Sequence, residues 1–174
     1  MTLAVATFLA VLALATLAGV VLVMLLAVIG RLEPIRTAMG RGALWLALAV
    51  ALTATAGSLY FSEVAGLEPC TLCWYQRIAM YPLVLILGIA AWRGDWGVRR
   101  YAAPLAGIGA VVAAYHMLLQ RVPSLPSAGC SVTAPCSAID LERFGFVTIP
   151  FMAFAAFAAI LTVLFALAPE TDEP

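Results

Sequence analysis

The chain has 174 residues, of which 65% are hydrophobic and 10% charged, with a mean hydropathy of +1.09. A soluble domain carries about 25% charged residues, and a water-soluble fold this short could not bury so much apolar surface; the composition is that of an integral membrane protein. Net charge is zero and all nine basic residues are arginines that form no run, which excludes a nucleic-acid-binding surface.

A membrane-spanning helix needs about 20 mostly apolar residues, and five segments qualify. The first is Thr2 to Ile29, which carries no charge. It lacks the basic start of a secretory signal and is about twice as long as one, so it reads as a true span. The others are Ala43 to Phe61, Trp74 to Trp92, Tyr101 to Leu119 and Phe146 to Ala168. Backbone groups cannot go unpaired in lipid and no partner strands are present, so these are expected to be helices. The last residues, 169–174 (PETDEP), read as a short disordered cytoplasmic tail.

Arginine placement orients the spans. Arg31, Arg36 and Arg41 lie in the first loop, and Arg93, Arg99 and Arg100 in the third. Alternating spans put both loops on one side, the cytoplasm. The amino terminus then faces out, together with the turn Ser62 to Pro69 and the long loop Gln120 to Gly145. In that loop Pro123, Pro126 and Pro135 oppose helix in the first half. The second half, Ser137 to Phe146, mixes apolar and charged residues and predicts a short helix lying in the interface.

The four cysteines form two close pairs, Cys70/Cys73 and Cys130/Cys136. Both fall on the outer side, where disulfides persist. Pro69 suits the first turn of a helix, which puts Cys70 and Cys73 at its amino-terminal end, where the helix dipole favours thiolate. Arg77 follows Cys73 by four residues, on the same helical face, as a second positive group or a contact for the oxygen of an electron acceptor. A snorkelling arginine reads equally well. Trp74, Tyr75 and Tyr81 suit interface aromatics or the walls of a flat ligand, and Pro82 is expected to kink the span and open space there. Cys130 and Cys136 bracket SVTAP, a spacing that closes without strain. Their disulfide is expected to be accessible, hence exchangeable with an incoming thiol. His116, the only histidine, lies late in the fourth span with Gln120 one turn beyond. It suits a contact to the acceptor, a proton carrier, or one interhelical hydrogen bond. Two exchangeable pairs on one face suggest a relay. The chain carries no haem, dinucleotide or flavin motif, so a lipid-soluble quinone fits as acceptor.

These stretches resemble a known family. GSLYFSEV (57–64), PCTLCWYQRIAMYPLVLILGIA (69–90), YHMLLQRVP (115–123), the Cys130/Cys136 pair with its APC, and FGFVTIPF (144–151) are similar to the disulfide-bond formation proteins of the DsbB class, in particular the BdbC-type branch. The resemblance implies an all-α integral membrane fold: a four-helix transmembrane bundle made of spans two to five, residues 43–168, with a quinone (ubiquinone or menaquinone) near the first pair. It implies that Cys130–Cys136 is reduced by a thioredoxin-like extracytoplasmic disulfide oxidase. Cys73 would be the sulfur nearest the quinone and Cys70 its exchange partner. Cys130 would be the partner's first target, with Cys136 as its mate. Arg77 matches the family's quinone-contacting arginine, and His116 a histidine in the equivalent span. The departure is the extra amino-terminal helix, residues 1–30, which is expected to pack beside the bundle or to bind a partner's anchor.

Three other readings compete. A vitamin K epoxide reductase-like protein would also join a helical bundle, two cysteine pairs and a quinone, but with its Cys-x-x-Cys late in the chain. Four thiolates could instead hold a structural zinc. Both disulfides could also be inert staples in a membrane scaffold.

Overall fold

The computed structural model describes residues 2–40, 42–122, 130 and 134–169. Arg41, Pro123, Pro126, the residues 131–133 and the tail beyond Pro169 lie outside them. Among the described residues there are six α-helices, of which five are long and apolar enough to cross a membrane. They are α1 (Thr2–Val28), α3 (Gly42–Leu59), α4 (Thr71–Arg93), α5 (Arg99–Arg121) and α6 (Ile149–Ala166). The wider turn Tyr60–Val64 extends α3 and a tight turn Trp96–Val98 leads into α5. All five expected spans are found. The fifth begins three residues later than hydropathy suggests, because Phe146 to Thr148 belong to a hairpin.

The short helix α2 (Glu33–Met39) was not expected. Proline in its first turn and Glu33 at its amino-terminal end favour it. Arg36 Nε donates to the Ala166 carbonyl at 2.9 Å, which ties α2 to the end of α6.

Helices α3, α4, α5 and α6 form a closed ring, each packed against the next and α6 returning to α3. Its core holds Leu44, Leu83, Leu87, Phe157, Ile160 and Leu164, all fully buried. Lipid is as apolar as these side chains, so close packing rather than water exclusion holds such helices together. Small residues make it possible. Ala47, Ala51, Ala102, Ala106 and Ala113 are completely buried, and Gly109 of α5 accepts the ring of Phe157 where a Cβ would collide with it. The helix α1 lies outside the ring, against α6.

The interfacial helix expected over Ser137 to Phe146 is absent. Instead β1 (Glu142–Arg143) and β2 (Val147–Thr148) pair antiparallel, with Glu142 opposite Thr148. The reversal is built on Phe144 and Gly145, both at positive φ (55° and 76°). Two consecutive residues of that hand make a hairpin turn and stop a helix. Arg121 at the end of α5 holds the hairpin by donating to Glu142 and to the Phe146 carbonyl.

Candidate functional site

The site begins with a helix cap. Cys70 is the N-cap of α4, in extended conformation, and its sulfur accepts from the Cys73 backbone N–H at 3.3 Å. Sulfur here does what a serine or aspartate oxygen usually does, satisfying a donor the helix start leaves free. Pro69 therefore sits one residue before the cap rather than in the first turn. The capping bond folds Cys73 back towards Cys70, so the two Sγ atoms stand 2.8 Å apart, not joined in a disulfide. A disulfide needs about 2.0 Å, so the pair closes with a shift of under an ångström.

His116 of α5 completes the cluster from the neighbouring helix. Its Nε2 lies 3.7 Å from Cys70 Sγ, and its Nδ1 lies 3.0 Å from Nε2 of Gln76. With the amide nitrogen of Gln76 donating to Nδ1, the ring proton sits on Nε2 and points at the sulfur. His116 is 2% exposed and Gln76 6%, so neither finds water as a substitute. Gln76 is a candidate site residue that the sequence analysis does not single out. Its position three residues after Cys73, inside a span, was the available signal.

Cys70 stands just outside the span, and its thiol is held well below the ordinary thiol range. The Cys73 thiol bonded to its sulfur is the main cause; His116 and the Cys73 backbone N–H add to it, against the opposing effect of burial. Arg77 does not bond a sulfur among the described contacts. Its guanidinium donates to the Ser58 carbonyl at 3.1 Å and lies over the Trp74 ring, 5.1 Å from its centroid.

The second pair is joined: Cys130 and Cys136 form a disulfide. That removes two of the four thiolates a tetrahedral zinc would need. The disulfide is less accessible than expected. Cys136 is 1% exposed and only Cys130 is half-buried. The amide of Gln120 donates to the Ala138 carbonyl at 3.1 Å and ties the residues just after Cys136 to the end of α5. Cys136 thereby enters one small apolar cluster with Cys70, Leu72 and Leu119, against which Cys73 and Cys130 also pack. Four cysteines from two distant segments are thus gathered at one end of the bundle.

Beside the cluster lies a cavity of about 340 Å³. One stripe of α4 lines it: Cys73, Gln76, Arg77, Met80 and Tyr81, the one-face spacing of a helix. Ser58 and Phe61 face them, with Ala153 and Met152 from α6. Tyr81 shares a hydrogen bond with Ser58 at 3.2 Å. The helix runs unbroken through Pro82. Cys73 and Gln76 are common to the cavity and the sulfur cluster, whereas Cys70 and Cys136 lie only in or beside the cluster.

The segment 40–167 matches the family model described as disulfide bond formation protein DsbB. The chain is 49% identical over 131 residues to disulfide bond formation protein C of Bacillus subtilis, covering 75% of this chain and 95% of that protein. It is 47% identical over 124 residues to probable disulfide formation protein C 1 of Bacillus anthracis, covering 71% and 89%. A probable disulfide formation protein of Coxiella burnetii is 48% identical over 115 residues, covering 65% and 78%. No solved structure matches the chain. The paired cysteines, the membrane bundle and these likenesses agree: the chain belongs to the DsbB family of disulfide bond formation proteins, as a multi-pass membrane protein.

Proposed function

We propose that the chain is a membrane thiol:quinone oxidoreductase that reoxidises a thioredoxin-like extracytoplasmic disulfide oxidase. The observation that carries this reading is the placement of the first pair: Cys70 beside Cys136 in one apolar cluster, and Cys73 on the wall of a cavity. A relay needs one sulfur facing its donor and the other facing its acceptor.

The steps balance as two successive thiol–disulfide exchanges and one two-electron transfer. The partner's thiolate attacks Cys130, the more exposed sulfur, breaking its bond to Cys136. The partner's second thiol then displaces Cys130, so the partner leaves oxidised and Cys130 and Cys136 are dithiol. Cys136 next attacks Cys70 of an oxidised Cys70–Cys73 pair, releasing Cys73, and Cys130 closes the bond to Cys136 again. Cys70 and Cys73 remain as thiols and surrender two electrons and two protons when their bond reforms. The helix start and His116 stabilise charge on Cys70 whenever it is the leaving sulfur.

The residues present fit a quinone as that acceptor. The cavity is of small-molecule size, mostly apolar, and carries Cys73, Arg77 and Tyr81 along one stripe. A quinone supplies a two-electron, two-proton oxidant dissolved in the bilayer. Strongly oxidising partners sit near about −120 mV, which glutathione cannot reoxidise. Arg77 is the group to bind a ring oxygen, exchanging its bond to the Ser58 carbonyl.

Residues 43–168 are the redox unit in this reading, and residues 1–30 an added helix. The arginines of the first and third loops keep those loops cytoplasmic, which puts both cysteine pairs outside. The test is turnover with a reduced thioredoxin-like dithiol and either ubiquinone or menaquinone. Wild type consumes dithiol and quinone one for one; Cys73→Ser and Cys130→Ser do not. Undiminished turnover in Cys73→Ser refutes the assignment.

A further inference from the structure

The helix α1 lies outside the family match, which begins at residue 40. The match to the Bacillus subtilis relative takes in 95% of that protein, leaving too few residues for another span. Yet α1 is not merely appended. Ala6, Ala10 and Ala13 are buried, at spacings of four and three that put them on one face, and their small size lets α1 approach α6 closely. Leu9 reaches α3 as well: its Cδ1 lies 3.0 Å from where a Cβ on Gly57 would stand. Arg143 of the hairpin donates to the Leu3 carbonyl at 3.2 Å, fixing the start of α1 at the cysteine end of the bundle.

These contacts set α1 across the seam between α3 and α6, along which the cavity runs. Leu9, Leu12, Ala13 and Thr16 line it. Their spacing of i, i+3, i+4 and i+7 is the inward stripe of a helix, about 10 Å long. Leu3, Phe8, Val11, Leu22 and Leu25 are more than half exposed, as a face turned to lipid would be, whereas Leu12 on the lining stripe is 38% exposed. Among the described residues, then, one wall of the cavity comes from a helix that the family match does not contain.

We propose that α1 is part of the acceptor site: Leu9, Leu12, Ala13 and Thr16 form the wall against which the isoprenoid portion of the quinone lies, with its ring towards Cys73 and Arg77. This rests on the quinone reading above. It makes the acceptor site a covered slot, where a bare four-helix bundle would have a groove open to lipid on this side. Added bulk on the stripe should obstruct the slot, while equal bulk on the lipid face should not.

The experiment uses the full chain in detergent with a quinone carrying a photoreactive azide on its first isoprenoid unit. Illumination and peptide mapping should place the label within residues 9–16. In parallel, quinone binding is titrated through tryptophan fluorescence in wild type, Leu12→Phe, Thr16→Phe and the lipid-face control Leu22→Phe. Exchange of the Cys130–Cys136 disulfide with a dithiol, which needs no quinone, reports that each variant is folded. Leu12→Phe and Thr16→Phe should weaken quinone binding about tenfold, with Leu22→Phe like wild type. If one stripe variant fails the exchange control, the other and the wild-type label carry the test. Label confined to α3, α4 or α6, or equal binding in all four proteins, overturns the role of α1 and leaves the quinone reading standing. Equal weakening by Leu22→Phe overturns it too. Wild type that neither binds nor reduces quinone removes the quinone reading itself.

Discussion

Replacing His116 by phenylalanine keeps a ring of similar size but removes the Nε2–H that points at Cys70. The bond is to a sulfur that carries charge, and hydrogen bonds to charged groups are worth about 1.5–3 kcal/mol. One pKa unit corresponds to about 1.4 kcal/mol, so the Cys70 thiol should rise by about one to two units. The Nε2–Sγ distance of 3.7 Å favours the lower end. The direction follows from the sign of the effect. Cys70 is depressed in the folded protein, so its stabilising contribution is complete above the unfolded thiol value of about 8.5 and is lost as pH falls through the folded value. His116→Phe narrows that window from below. The assay is the pH dependence of iodoacetamide alkylation of Cys70, followed by peptide mass spectrometry in a Cys130→Ser/Cys136→Ser background. Gln76→Leu, which frees the ring to take the other tautomer, should shift the midpoint the same way but less. A midpoint unmoved by His116→Phe would refute the claim that the imidazole holds this sulfur's charge.

In the reduced protein, a bulky maleimide should modify Cys130 at least about tenfold faster than Cys136, because access to the thiol governs the rate and Cys136 is buried; equal rates in time-resolved mapping would contradict the packing around Leu119. Gly109→Ala should destabilise the bundle by about 1–3 kcal/mol, since its Cβ would meet the buried ring of Phe157. Thermal unfolding in detergent at wild-type values would mean that α5 and α6 do not approach so closely.

The spans were legible because lipid imposes one rule on every backbone group, and hydropathy reports it directly. The sulfur pairs were legible as well, since Cys-x-x-Cys before an apolar run already implies a helix start. The hairpin was not. Ile139, Leu141 and Phe144 alternate with charges in a way that suits an interfacial helix, and the feature that overrides it is a phenylalanine at positive φ, a conformation that bulky residues rarely adopt. Burial of Cys136 escaped notice for a different reason: it depends on Gln120 bonding across 18 residues to Ala138, and such a contact leaves no local pattern. Arg77 and Cys73 line the same cavity, in keeping with their spacing of four, but the bond Arg77 makes, to a carbonyl on another helix, belongs to tertiary packing.

The apolar cluster around Leu72 and Leu119 also works as insulation. Cys130 is the more accessible sulfur, while Cys70 and Cys136 are closed off by apolar side chains. In the proposed relay, a reductant that reached Cys70 directly would spend the acceptor without oxidising any protein. On that proposal, seclusion of Cys70 and Cys136 would enforce an order of events: a thiol would have to open the Cys130–Cys136 disulfide before electrons reached the acceptor. In such a device, selectivity would come less from recognising the right donor than from keeping every other donor away from the first pair, Cys70 and Cys73.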